Sequence, residues 1–183
     1  MSSDDRRFLR CEMPDVKDLD HHYANGFNWI PNSSTIRPSV AVAQQKLVGM
    51  TSISSSWFSF DDYILCKVFG KEYEVYEDRM FRVKASSTIP DENKLDLVSA
   101  SDRVFVPNKY SYNVTGNHWV LWYGCRDRIH SSEEINEHIQ IELSKITSKY
   151  DNVVFDYIWY VNPKMSIPEF FHVHVFWQTF SED

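Results

Sequence analysis

Residues 167–177 read Ile167-Pro168-Glu169-Phe170-Phe171-His172-Val173-His174-Val175-Phe176-Trp177. Side chains of an extended strand alternate between its two faces, so His172, His174 and Phe176 share one face, while Phe171, Val173, Val175 and Trp177 share the other. The two imidazoles then stand roughly 7 Å apart, close enough to grip one phosphate or one metal ion. Pro168 biases Ile167 toward an extended backbone and helps to start the strand.

Three further strands are expected upstream, at Arg103–Val106, Asn117–Tyr123 and Val153–Val161. Between the last two, Ser131-Ser132-Glu133-Glu134 has the capping-box pattern, and Ile135, Ile139, Leu143 and Ile146 form one apolar stripe. That spacing predicts a helix packed on the sheet. Earlier, Val40 to Val48 reads as a helix stopped at Gly49, and Ser54-Ser55-Ser56 as a linker or cap. Ser59 caps a second helix over Phe60–Phe69, with Asp61 and Asp62 in its first turn and Gly70 at its end. Glu72–Lys84 fits a strand pair or a helix, and residues 85–101, with Pro90, read as a long surface loop. Residues 1–35, broken by Pro14, Gly26 and Pro31, form an irregular N-terminal segment anchored by Phe27, Trp29 and Ile30. The expected architecture is α+β, with residues 36–183 as a single domain: N-terminal helices and one late helix on a mainly antiparallel sheet, with the histidine strand inside it.

The chain has 183 residues, 43% of them hydrophobic and 15% aromatic, which is ample for one packed core. Its formal charge of −7, from 26 acidic and 19 basic residues, excludes a global attraction to duplex nucleic acid or to anionic membranes and leaves room for a local basic pocket. Cys11, Cys66 and Cys125 are widely spaced and odd in number, which suggests reduced thiols. With no long apolar run and no apolar signal core at the N-terminus, the expected location is the cytoplasm, with free diffusion into the nucleus.

Several polar constellations accompany the histidine pair. Asn162, Lys164 and Ser166 lie in a segment stiffened by Pro163 and Pro168 and can face an anion at little ordering cost. Asn108 and Tyr110 belong to an amide- and aromatic-rich turn before the His118 strand, suited to stacking a base or a sugar. His172 and His174 are the candidate catalytic residues; Asn162, Ser166, His118, Asn108 and Tyr110 are the candidate ligand contacts. Three chemistries fit the pair. A histidine nitrogen attacks phosphorus while its neighbours hold the phosphate oxygens, or the pair ligates a divalent metal with His118 or Asp156, or both histidines are structural. An interaction module is a further alternative. Phe27 to Ile30 would then be its docking surface. Cap or nucleobase recognition is a special case of ligand binding, with Trp29 or Trp57 as a ring partner.

Two resemblances follow. Arg103-Val104-Phe105-Val106-Pro107-Asn108-Lys109-Tyr110-Ser111-Tyr112 with Asn117-His118-Trp119-Val120-Leu121-Trp122 resembles the N-D-F-P-Y … H-W-V-L-W signature of the N-acetylglucosamine-induced protein family, known mainly from fungi. Trp159-Tyr160-Val161-Asn162-Pro163, Ser166-Ile167-Pro168 and His172-Val173-His174-Val175 resemble its W-F-V-N-P-P … S-I-P … H-x-H-V ending. Lys109 and Ser111 depart from the pattern, which has acidic and proline residues there. This likeness implies a lineage rather than a reaction. The order of an Asn-x-Tyr turn, a Gly-x-His strand, a helix, an Asn-bearing strand end, a serine loop and a terminal H-x-H strand is similar, more distantly, to histidine-triad nucleotide-binding proteins. That likeness implies a histidine-triad-like sheet, His172 or His174 as nucleophile toward an α-phosphate, and Asn162 and Ser166 as phosphate contacts. One histidine of the triad is missing in either register, where Phe176 or Phe170 stands. The resulting expectation is binding, with hydrolysis as its extension, of a nucleotide-like or other phosphorylated small molecule. No membrane and no duplex nucleic acid would be partners, and a protein partner is the alternative.

Overall fold

The computed structural model describes residues 9–13, 16–77, 80–84 and 91–181. In chain order it contains β1 (Cys11–Glu12), α1 (Val16–Ala24), α2 (Val40–Ser56), α3 (Phe60–Lys67), β2 (Tyr73–Val75), β3 (Phe81–Val83), a 3-10 helix (Asp91–Leu97), β4 (Arg103–Pro107), β5 (Asn117–Tyr123), α4 (Ser132–Thr147), β6 (Val153–Tyr160) and β7 (His172–Ser181). The fold is α+β. Its main sheet has the order β1-β6-β7-β5-β4, antiparallel except for the β1–β6 pair, and β2 and β3 form a separate hairpin. The histidine strand is the centre of the sheet.

One face of the sheet carries the core expected from alternation. Phe171, Val173, Val175 and Trp177 join Leu121, Tyr123, Tyr157 and Trp159 beneath Ile135, Ile139 and Leu143 of α4. The capping box forms as its sequence requires: the Ser131 side chain accepts from the Glu134 N–H, and the Glu134 carboxylate accepts from the Ser131 N–H. The opposite face is covered at its two ends by separate clusters. Ile53, Trp57, Ile64, Leu65, Val83 and Phe170 form one, and Met13, Leu19, Trp29, Ile30, Ile158, Tyr160 and Phe176 form the other. Between them the sheet is left open to a cavity.

Four local expectations are corrected. Gly49 does not end α2, which runs on to Ser56. A Cβ at Gly49 would lie 1.9 Å from the Tyr110 hydroxyl, so this glycine admits a close neighbour rather than a turn. Ser54 and Ser55 are the last turn of α2, not a linker, because their hydroxyls donate back to the Met50 and Ser52 carbonyls. The N-terminal segment is not irregular throughout. It supplies β1 and α1, and its scattered apolar residues are spaced to cover Ile158, Tyr160 and Phe176. Of the supposed surface loop, residues 85–90 lie outside the described residues, whereas Asp91–Leu97 is helical and Val98 is buried. The alternation in Glu72–Lys84 resolves as the β2–β3 strand pair. Among the described residues no helix is long and apolar enough to cross a membrane.

The helical piece at 91–97 docks through charge. The Asp62 carboxylate, 2% exposed, accepts from the Val83 N–H at 2.9 Å and from Lys94 Nζ at 2.8 Å. An acid that the sequence placed at a helix start thus ties α3 to β3 and to the 3-10 helix. Removing one partner of such a pair leaves a buried charge uncompensated. Lys94→Met is expected to lower the unfolding free energy in urea by about 3 kcal/mol, and adding Asp62→Asn should restore part of it. A loss below about 0.5 kcal/mol, the level of an ordinary surface substitution, would show that the pair contributes nothing.

Candidate functional site

Cross-strand register builds the polar face of the sheet. His172 pairs with Trp122, His174 with Val120 on one side and Tyr160 on the other, and Phe176 with His118 and Ile158. Directly paired residues in antiparallel strands point to the same face, so a third histidine, from β5, joins the two on β7. The rings pack as they pair. His172 stacks on Trp122 at 4.3 Å, His118 stacks on Phe176 at 4.3 Å, and His174 lies between Tyr160 at 5.6 Å and Tyr112 at 5.8 Å.

Hydrogen bonds then assign a proton to each ring. The backbone N–H of Tyr112 donates to His118 Nδ1 at 3.0 Å, and a backbone N–H can only donate. Neutral His118 therefore carries its proton on Nε2, which donates to His174 Nδ1 at 2.8 Å. That leaves the His174 proton on its own Nε2. Asn108 lies at the junction: its Oδ1 accepts from the Tyr110 N–H at 2.9 Å, and its amide nitrogen is 3.1 Å from His118 Nε2, which carries a proton and cannot accept, and 3.5 Å from His174 Nδ1, the one lone pair there that can. His172 is the opposite tautomer, because its Nδ1 donates to the Phe170 carbonyl at 2.9 Å and Nε2 keeps the lone pair. His172 and His174 are 6% and 8% exposed, yet both line the cavity, and neither Nε2 has a protein hydrogen-bond partner among the described residues. Two imidazoles 5.9 Å apart thus present one acceptor and one donor.

Burial decides their charge. Loss of water pushes the His118 imidazole down to about 3 and holds His174 well below the ordinary histidine range, with His118, His172 and Lys46 acting the same way on His174. Desolvation also lowers His172; the Phe170 carbonyl opposes the shift, and the charge of Lys46 adds to it. All three rings are neutral at pH 7.

The cavity, about 640 Å³, lies between this face and helices α2 and α3, and it is closed at the side by the loops 107–112 and 162–167. Its charged lining consists of Arg37, Lys46, Lys109 and Lys164, with no aspartate or glutamate among the described residues. Lys46 Nζ donates to Ser166 Oγ at 2.7 Å, joining α2 to the proline-stiffened segment. Asn162 Oδ1 accepts from the Lys164 N–H at 2.9 Å, which leaves its amide N–H groups for a ligand. Tyr63, Tyr110, Tyr112, Trp122 and Tyr160 supply aromatic wall.

Compared with family models, with curated proteins and with solved structures, the chain matches none of them. The site is therefore read from its own chemistry.

Of the residues singled out from sequence, His172, His174, Asn162, Ser166, Asn108 and Tyr110 all line the cavity, and His118 stands directly behind His174. Asp156 does not join them. It pairs with Gln178, four residues along β6 from Tyr160, and its carboxylate accepts from the Leu9, Arg10 and Tyr157 N–H groups. No group of three His, Cys, Asp or Glu residues is arranged to hold a metal among the described residues, and both His118 nitrogens are already engaged. Trp29 and Ile30 are 2% and 1% exposed, so within Phe27–Ile30 their side chains are turned into the core, and Trp57 is packed among the rings of Tyr63, Tyr73 and Phe81. Sequence reading missed Arg37 and Lys46. Lys46 had a signal, since it is the one charged residue in the 17 residues of α2.

The neutral histidines carry a pH signature. Their folded pKa values lie below the unfolded value near ~6.5, so their contribution to stability is complete above that pH. It is lost as pH falls and the unfolded chain binds protons that the folded one refuses. Each ring costs up to about 1.4 kcal/mol per pH unit on the way down. Urea unfolding between pH 6.5 and 4.5 should show His118→Phe with a slope shallower by about one proton than the parent; equal slopes would mean that His118 is not buried in its neutral form.

Proposed function

We propose that the cavity binds a phosphorylated small molecule, nucleotide-like in joining an anion to a ring or other apolar body, and that hydrolysis at phosphorus is its chemical extension. The observation that carries this reading is the cavity's charge. Among its described residues, a chain with a formal charge of −7 collects four cations and no carboxylate around one hollow, an arrangement that attracts anions and repels cations. Lys46, Arg37 and Lys164 supply charge, and the Asn162 amide, the Ser166 hydroxyl and His174 Nε2–H supply directed donors. Trp122, Tyr112 and Tyr160 offer ring faces to the body of the ligand.

For hydrolysis, the lone pair of His172 Nε2 is the basic nitrogen directed at the cavity. It attacks phosphorus, forming an N–P bond as the P–O bond to the leaving alcohol breaks, or takes a proton from a water that attacks as that P–O bond breaks. In either case the departing oxygen takes its proton from water. His174 presents its N–H side and is no nucleophile in that tautomer. Of the two triad registers considered from sequence, this favours the one centred on His172. The free thiols of Cys11, Cys66 and Cys125 support a reducing, cytoplasmic setting with access to the nucleus.

Calorimetric titration with AMP, glucose 6-phosphate and adenosine tests the reading. At least one phosphorylated compound should bind, adenosine should bind at least about tenfold more weakly than AMP, and Lys46→Met and His174→Ala should each weaken binding by about tenfold or more. His172→Ala should abolish any release of phosphate while leaving measurable binding. Failure of both phosphorylated ligands, or affinities unchanged in Lys46→Met and His174→Ala, would overturn it.

A further inference from the structure

The chain of hydrogen bonds behind His174 has a consequence for which form of a ligand the cavity accepts. We propose that His118 is a positioning residue: by holding His174 as a standing N–H donor, it makes the site select the dianion of a phosphate monoester over the monoanion. This rests on the phosphate reading above and adds to it a ligand protonation state and a residue that enforces it.

The argument begins at Tyr112. Its backbone N–H occupies His118 Nδ1, so His118 Nε2–H must point at His174 Nδ1, and the cavity meets His174 Nε2–H. Reversing the direction would set the Tyr112 N–H against a second N–H. The groups packed around His174 also oppose its protonation. They are His118 from β5, His172 from its own strand, Lys46 from α2, Tyr112 from the loop and Tyr160 from β6. None is a carboxylate. Two are imidazoles, one is an ammonium, and the two tyrosine hydroxyls hydrogen-bond each other at 3.1 Å. A donor that needs no proton from solvent keeps its strength across the pH range in which phosphate monoesters ionise, about pH 6 for the second proton.

A monoanionic phosphate brings one P–OH into a site made largely of donors, where His172 Nε2 is the free imidazole acceptor. The dianion offers acceptors to His174, Lys46 and the loop, and gains charge against the cations besides. His174 also cannot serve as a general acid. Its neutral N–H would leave an imidazolate behind, so its part is to bind and orient.

Two measurements test the proposal. Nitrogen-15 spectra of the ligand-free protein at pH 7 should show His174 and His118 protonated on Nε2 and His172 on Nδ1. In AMP titrations from pH 5 to 8, affinity should rise roughly tenfold as the second phosphate proton leaves and then stay level. His118→Phe keeps a ring against Phe176 but removes the donor to His174 Nδ1, so the His174 proton is no longer held on Nε2; AMP affinity should drop by about tenfold and its rise between pH 5 and 8 should shrink. His118→Gln, whose amide N–H can again donate to Nδ1, should restore the parent profile. A His174 found as imidazolium or protonated on Nδ1 at pH 7, or a His118→Phe profile identical to the parent, would overturn the proposal. If the tautomers are as stated and AMP binds at no pH, the phosphate reading falls, and dianion selection with it, while the positioning of His174 by His118 stands.

Discussion

Strand β7 is paired on both edges, to β5 over residues 172–177 and to β6 over residues 174–181, and both of its faces are buried. No solvated edge remains to absorb a change of register, and a slip of one residue would exchange the apolar row under α4 with the histidine row. The rest of the site depends on this double pairing. It sets Trp122 against His172, brings His118 beside His174 through the Phe176 pair, and places Tyr160 over His174 from the other side. A strand so enclosed can carry imidazoles only if each is neutral and its inward nitrogen is hydrogen-bonded. The Phe170 carbonyl meets that demand at His172 Nδ1 and His118 meets it at His174 Nδ1, while Nε2 of both rings faces the cavity.

Electrostatics are partitioned in space rather than averaged. Acidic residues prevail in the chain, yet the carboxylates that are buried have structural tasks away from the cavity. Asp62 ties three elements together, and Asp156 binds backbone N–H groups near β1. The cations of the cavity come from four separate segments: Arg37 from the approach to α2, Lys46 from α2, Lys109 from the β4–β5 loop and Lys164 from the β6–β7 loop. Burial lowers the affinity of His172 and His174 for protons, and the positive charge of Lys46 adds to it. The same cavity therefore offers positive charge from lysine and arginine side chains and uncharged directional contacts from histidines.

Local patterns were legible wherever the physics is local. The stripe Ile135, Ile139, Leu143 sets the buried face of α4, Ser131 and Glu134 cap it, and Ser59 caps α3, because each of these bonds spans only a few residues. Reading failed where a distant group intervened. Gly49 looked like a helix stop because the Tyr110 hydroxyl that requires a glycine there is far away in sequence. Phe27, Trp29 and Ile30 were legible as an anchor, but the sheet surface they cover was not, because it is assembled from β6 and β7. Residues 91–97 looked like surface loop because the partner of Lys94 is Asp62, on another helix.

From sequence alone, period-two alternation put His172 and His174 on one face of a strand with an apolar row behind them, since side-chain direction in a strand follows from backbone geometry. The same reading marked Asn162, Ser166, Asn108, Tyr110 and His118 as polar groups able to meet that face. Only the tertiary structure decided what the pair presents to a ligand. Which nitrogen of an imidazole holds its proton depends on the group facing the other nitrogen. Those groups are a backbone N–H in the turn before β5 and a carbonyl in the approach to β7, brought into place by chain folding. The charge of the cavity was decided in the same way, because Arg37, Lys46, Lys109 and Lys164 become neighbours only when four segments close over one face of the sheet.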